Sequence, residues 1–400
     1  ITPATIPLSP AVQQASDLIT KQKTFDPWQL GTLDPNRAID PYLPLSGAGN
    51  IYGSNGLLKT TFIDGQYKNG GIIHNDQPTG PAPQNTGTGG YSQSLNMQAG
   101  TLTCHSSVAT NVYVSSVGRL SWPQFWQKYD IAITGDPEAQ QVTHANMFYL
   151  AGSAVGNQSI PPMGLSSTQY AGHIFWDSEI WMMPALLVQH PDLAYGIVDY
   201  RFKHLAAAEA LAKSHGFKGA EFPWESADTG KEEAPSEFAQ ERHITADIAF
   251  AAWQYYLWTS DKEYLQTEGW PVIKDCADYW VSRVTKTPDG KYHIDKVIGP
   301  DETSGVLDDD AYTNAIVSVT LRQAAQAAQA AGQSANPKWA QVANGLVLPK
   351  DPSNAFYVEY PDITTRLMAK QADTQMLMYP LNIAMTNDCA GNTLDYAIQH

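Results

Sequence analysis

Leu193-Ala194-Tyr195-Gly196-Ile197-Val198-Asp199-Tyr200-Arg201-Phe202-Lys203-His204-Leu205-Ala206-Ala207-Ala208-Glu209-Ala210-Leu211 is the stretch that decides the fold class. Leu193, Ile197, Tyr200, His204, Ala208 and Leu211 recur at spacings of three and four, which sets them on one face of a helix. Gly216 follows where a left-handed C′ residue closes such a helix. Ile244, Ile248, Ala252 and Tyr255 repeat the pattern, and residues 263–284 read as another helix. Asp308-Asp309-Asp310 puts negative charge at the start of the next, where the helix dipole favours it. That helix runs through the alanine-rich residues 323–331 and stops at Gly332, and residues 370–378 read as one more. Pro184 interrupts residues 180–189, so the helix there starts near Met183 or kinks.

Residues 1–118 differ. Gly, Pro, Thr, Ser and Asn are dense, and short β-prone runs at 57–63, 71–74, 101–104 and 111–117 are each bounded by turn residues, as in a sandwich. The chain is therefore expected to be mainly α: a β-sandwich-like N-terminal region over 1–118, then an all-helical toroid over 119–400. No fixed-period repeat supports the rival solenoid.

Hydrophobic residues make up 43% of the 400 and charged residues 16%, enough apolar material for a large core. The net charge of −16 argues against nucleic acid as a partner, because binding phosphates takes clustered Lys and Arg. No run of about 18 apolar residues is present, so no membrane span is expected. Cys104, Cys276 and Cys389 lie far apart, and no Cys/His cluster suggests zinc. No metal and no cofactor are expected. The chain begins at Ile1, and its low lysine content fits export, so a periplasmic or secreted protein is expected.

Eleven Trp and twenty Tyr cluster with polar groups, as in Phe175-Trp176-Asp177 and Phe222-Pro223-Trp224-Glu225. Sugars present flat C–H faces rimmed by hydroxyls, which rings and carboxylates together match. A small sugar is thus the expected partner. Trp253 and Trp258 read instead as core residues.

Val297-Ile298-Gly299-Pro300-Asp301-Glu302 carries the chemistry. Gly-Pro stops regular structure and sets two adjacent acids on a loop. A carboxyl raised on a tight turn beside a helix start suits a general acid. A solvated acidic turn is the alternative reading of this segment alone.

Several blocks in order then resemble glycoside hydrolase family 65. They are Gly172-His173-Ile174-Phe175-Trp176-Asp177-Ser178-Glu179-Ile180-Trp181, Tyr200-Arg201-Phe202, Gly216 through Ser226, His243-Ile244-Thr245-Ala246-Asp247-Ile248-Ala249, Gly299-Pro300-Asp301-Glu302, Ala311-Tyr312-Thr313-Asn314 and Lys370-Gln371-Ala372-Asp373. The resemblance implies an (α/α)6 barrel preceded by a β-sandwich, and inversion at the anomeric carbon of an α-glucoside of kojibiose or trehalose type. It implies Glu302 as general acid, with Trp176, Asp177, Lys370 and Gln371 seating the non-reducing glucose. Trp224 and Glu225 would line the cleft toward the leaving sugar.

After the acid this chain carries Thr303-Ser304-Gly305-Val306 where phosphorylases of the family tend to carry Tyr-His-Glu-Gly, which leans toward hydrolysis. Phosphorolysis to β-glucose 1-phosphate stays open, as does a non-catalytic sugar-binding subunit. In the family both the hydrolytic base and the phosphate loop follow the Lys-Gln segment, and neither has a match before His400. The toroid reads as incomplete at its C-terminal end, which leaves room for a second chain or a homodimer.

Other candidates are read conservatively. Asp247 is expected to be a buried structural partner of Arg201 or His243. Asp301 is expected to cap its turn. Asp308 to Asp310 point in three directions and read as a charged helix start rather than a cation site.

Overall fold

The computed structural model describes residues 59–62, 92–96, 101–105, 112–115, 122–154, 159–164, 169–236, 238–361, 363 and 370–399. The expected boundary near residue 118, the run at 71–74 and most of the expected sandwich lie outside them. The chain divides into two units, Ile1–His173 and Ile174–His400.

In the first unit the described strands are Lys59–Phe62 (β1), Ser92–Asn96 (β2), Thr101–His105 (β3) and Val112–Ser115 (β4). β1 pairs antiparallel with β4, and β2 with β3, Ser92 standing opposite His105. The polar sequence of β2 gives no strand signal of its own, and its pairing with β3 supplies one. Helices Trp122–Tyr129 (α1) and Pro137–Ser153 (α2) follow. Asp136 caps α2, its carboxylate accepting from Ala139 N at 2.9 Å.

The second unit opens with a π-helical turn, Ser178–Met182, that runs into Met183–Gln189 (α3). Pro184 lies in the first turn of α3, where its missing N–H costs nothing. The expected single helix over 193–211 is two, Pro191–Lys203 (α4) and Leu205–Ser214 (α5). The break falls at His204, whose ring nitrogens lie 2.8 Å from Tyr200 O and 2.9 Å from Asp228 O. Gly216 follows α5 at φ +84, a left-handed value open to glycine at no steric cost.

Ile244–Thr259 (α6) is apolar nearly all round and buried through its first turns, as such a helix must be. Trp253 on it is buried, whereas Trp258, expected in the core, is 54% exposed, because the last turn of α6 runs out of the core. The expected helix over 263–284 is a helical turn, a π-turn over Leu265–Gly269, then Trp270–Arg283 (α7). A small hairpin pairs Thr285–Lys286 (β5) with Tyr292–His293 (β6). Ala311–Ala330 (α8), Pro337–Gly345 (α9) and Asn387–Gln399 (α10) complete the described helices.

Helices α6, α7 and α8 pack on one another, α9 lies on α8, and α4 on α6. Ile248, Trp253, Ile273, Tyr279, Trp280, Ile316 and Leu321 fill the space between them. Each such buried side chain contributes about 1.5–3 kcal/mol of burial. Asp310 caps α8, accepting from Thr313 N at 2.7 Å. Asp309 accepts from Ile294 N and Asn314, and Asp308 from Lys296 N, so the three acids do diverge. The helix expected over 370–378 is only a 3-10 turn at Thr374–Leu377. The amide of Lys370 is committed to Asp301 at 3.0 Å, which draws the start of that segment out of helical geometry.

Candidate functional site

Two backbone bonds assemble the aromatic wall of the site. Ile174 N donates to Ser226 O at 2.8 Å, and Ser226 N donates to Ile174 O at 3.1 Å. This sets Phe175-Trp176-Asp177 beside Trp224-Glu225. Phe175 packs edge-on to Trp224 at 5.8 Å, and Trp176 and Trp224 lie 6.3 Å apart between centroids. Both indoles are almost wholly buried.

Arg201 fixes this segment from below. Its Nε donates to Glu179 Oε1 at 2.7 Å, and its Nη2 donates to Glu179 Oε2 at 3.0 Å and to Phe175 O at 3.1 Å. Ser178 Oγ donates to Glu179 Oε2 at 2.7 Å. A buried ion pair stands only when such further bonds satisfy it. Glu225 stands one residue beyond Trp224. The amides of both donate to Glu232, at 3.0 Å from Trp224 and 3.1 Å from Glu225.

The loop bearing Glu302 is pinned at its neck. Val297 N donates to Leu307 O, and Leu307 N donates to Val297 O, at 2.9 and 2.8 Å. Gly299 lets the loop close on Asp310: a Cβ there would fall 2.1 Å from Asp310 Oδ1. Asp301 is buried and caps the turn, accepting from Thr303 Oγ1 at 2.7 Å and Thr303 N at 3.2 Å. Ser304 Oγ donates to the buried Glu359 at 2.8 Å. The turn thereby presents Glu302, whose side chain is 19% exposed, to Lys370 Nζ, and Gln371 Nε2 donates to its Oε1 at 3.1 Å.

Glu302 is thus held by Lys370 and Gln371, the two residues expected to seat the glucose. Its charge also reaches Asp177. Burial, opposed by a backbone hydrogen bond and reinforced by Glu179 and Glu302, pushes the Asp177 carboxyl up to about 6.

Two residues outside the expected site set complete the cluster. His243 is fully buried, its ring 4.7 Å from Trp176, 5.3 Å from Trp224 and 5.4 Å from Tyr312, edge-on to each. Its Nδ1 lies 2.7 Å from Asp247 Oδ2, and Tyr312 Oη donates to Asp247 Oδ1 at 2.7 Å. Asp247 is thus the partner of His243, while Arg201 takes Glu179. Burial pulls the imidazole down, but Asp247 and Glu241 outweigh it and hold it up at about 9. Glu241 is the second residue. It is buried, 3.9 Å from His243 Nε2, and close enough to Glu302 and Lys370 to feel both charges. The i, i+4 spacing of His243 and Asp247 was a readable signal; Glu241 shows itself only through its burial.

The family model described as "Glycosyl hydrolase family 65 central catalytic domain" matches residues 144–353. The chain is similar to a kojibiose hydrolase from Mucilaginibacter mallensis, 45% identical over 273 residues, covering 65% of this chain and 39% of the relative. It is also similar to one from Flavobacterium johnsoniae, 41% identical over 280 residues, covering 69% and 41%. The chain spans about two-fifths of the length of these curated relatives. A solved structure provisionally named a kojibiose phosphorylase, from the human microbiome, shares the fold with a TM-score of 0.52 at 22% identity, covering 59% of this chain and 38% of that one. With the profile matching more than half of its length, the chain belongs to glycoside hydrolase family 65.

Proposed function

We propose that this chain carries the acid half of an inverting α-glucoside hydrolase, acting on a glucose disaccharide of kojibiose type or a related glucosyl conjugate. The observation that carries the reading is the grip of Lys370 and Gln371 on Glu302, whose charge acts on Asp177, the neighbour of Trp176. In this reading the helices form an (α/α)6 barrel, and the Glu302 turn faces its axis.

The chemistry follows from the residue types. A glucosyl unit sits against the accessible rim of the indole cluster while its hydroxyls take over the donors and acceptors around Glu302. Lys370 and Gln371 then turn from the carboxyl toward the sugar. Freed of Lys370, the Glu302 carboxylate takes up a proton from solvent and delivers it to the glycosidic oxygen as the bond to the anomeric carbon breaks. Water attacks from the opposite face, activated by a second carboxylate about 6.5–9.5 Å from the acid. Trp224 and Glu225 border the leaving sugar. Ser304 is committed to Glu359, and the Thr-Ser-Gly turn offers no imidazole or ammonium of its own to an incoming phosphate, which favours water over phosphorolysis.

Product analysis on the full-length protein tests this. Kojibiose should yield free glucose, first as the β-anomer, at a rate independent of phosphate. Glucose 1-phosphate formed only when phosphate is added would replace the reading with phosphorolysis. Binding of the disaccharide without turnover would replace it with a sugar-binding role.

A further inference from the structure

Glu241 has no part in the reaction as proposed, yet it sits in the middle of the machinery. Its side chain is 1% exposed. Among the described residues neither of its carboxylate oxygens has a hydrogen-bond partner. The protonated His243 offsets part of the cost of burying this carboxylate, but an ion pair without a hydrogen bond leaves both oxygens with acceptor capacity to spare. His243 Nε2 lies 3.9 Å from Oε2, beyond hydrogen-bond reach. The imidazole is not free to swing closer, because Asp247 fixes Nδ1 and three aromatic rings hold its plane.

The position of Glu241 ties it to Glu302. Ile298 N donates to Gln240 O at 3.0 Å, fastening the segment before Glu241 to the loop that carries the acid. The charges of Glu302 and Lys370 both act on the Glu241 carboxyl. A fold keeps an unsatisfied group of this cost where function needs it. Two acceptor oxygens, buried beside the imidazole that packs on both indoles and within reach of the charge of Glu302, match two neighbouring O–H donors on a flat ring.

We infer that Glu241 is a sugar-binding residue whose carboxylate accepts hydrogen bonds from two adjacent hydroxyls of the glucosyl unit facing Glu302. The inference rests on the α-glucoside reading of the site. It gives the enzyme a means of selecting glucose by hydroxyl position, since a buried acceptor left unpaired rejects a sugar lacking the matching hydroxyl.

Calorimetric titration of the full-length protein with D-glucose and its four monodeoxy analogues (2-, 3-, 4- and 6-deoxy) tests it. In the wild type, loss of either of two adjacent hydroxyls should weaken binding about tenfold or more, the range of a hydrogen bond to a charged acceptor. Glu241→Gln should weaken glucose about tenfold or more and no longer distinguish those two analogues. It should melt no lower than the wild type at neutral pH, because a buried charge has been removed. If that variant fails to fold, Glu241→Asp, which keeps the charge but withdraws the oxygens by one methylene, should lose the same discrimination. Unchanged glucose affinity in the folded variant overturns the inference, as does a wild type indifferent to every adjacent pair. Unchanged affinity with collapsed turnover also overturns it, assigning Glu241 to proton transfer instead. A wild type that neither binds glucose nor cleaves an α-glucoside brings down the α-glucoside reading itself. A wild type that does both, beside a Glu241→Gln variant that binds equally well, brings down the role of Glu241 alone.

Discussion

The carboxylate of Glu302 and the ammonium of Lys370 form an ion pair across 68 residues of sequence. Lys370 belongs to no regular helix, and its own amide is bonded to Asp301, the neighbour of Glu302. The acid and its cation are thus held by one small network, while the cation's side chain stays 54% exposed and able to move.

That exposure separates function from stability. Half-exposed ion pairs contribute about 0–1 kcal/mol to folding, so Lys370→Met should shift the melting temperature by only about 2 °C. If Lys370 turns onto the sugar, the same variant should lower kcat/KM by about 10–100-fold, the worth of a charge-assisted hydrogen bond. Melting curves beside steady-state rates check both. A large loss of stability with intact activity would make Lys370 structural.

Asp177 and Glu241 give the site a pH signature. Their carboxyls are pushed up to about 6 and about 7, from 3.8 and 4.5, burial being the chief cause in each. His243 and Lys370 oppose the shift at Glu241, and Glu302 adds to it. The folded protein therefore binds these protons more tightly than the unfolded chain. Their contribution to stability is full below about pH 4 and lost as the pH rises through about 6 to 7. Glu241→Gln removes one titration, so its melting temperature should gain on the wild type between pH 5 and pH 8, by up to about 3 kcal/mol in stability. A difference that is flat with pH, or that shrinks, contradicts this.

Arg201 is predicted to act on the site through Glu179 and the Phe175 carbonyl. Arg201→Met leaves Glu179 buried and unpaired, a cost of about 3–5 kcal/mol, or roughly 10 °C in melting temperature. Replacing both members by Met should cost less than the single change, because no lone charge remains. Thermal denaturation of the two variants measures this. Equal losses in the single and double variants would mean that the pair is not the origin of the effect.

Much of this architecture is legible in the sequence where it depends on local rules. The faces of α4 and α6, the Gly216 terminus and the acidic start of α8 all follow from spacing and helix-end chemistry within a few residues. Pro184, read as a helix start near Met183 or a kink, marks where the π-helical turn passes into α3. What failed depended on distant contacts. Nothing near His204 announces a helix break, which comes from a carbonyl 24 residues away at Asp228. Residues 370–378 look helical until Asp301 takes the Lys370 amide. Trp258 reads as core because its helix is apolar, and only packing reveals where that helix leaves the core. In the candidate site, ordered blocks named Glu302, Trp176, Asp177, Trp224, Glu225, Lys370 and Gln371, and the structure brings Lys370 and Gln371 onto Glu302 and Trp176 beside Trp224. Glu241 was not, since an acid before a helix is ordinary until its burial is known.

The central claim is that Glu302 donates the proton to the glycosidic oxygen, and the turnover of kojibiose by a Glu302→Gln variant of the full-length protein tests it most directly. The side chain keeps its shape and its bond to Gln371 but has no proton to give. The account predicts a fall in kcat of about 10²–10⁴-fold with a melting temperature close to that of the wild type. A folded variant that retains more than about a tenth of the wild-type rate, against the hundredfold minimum for a lost general acid, would contradict it.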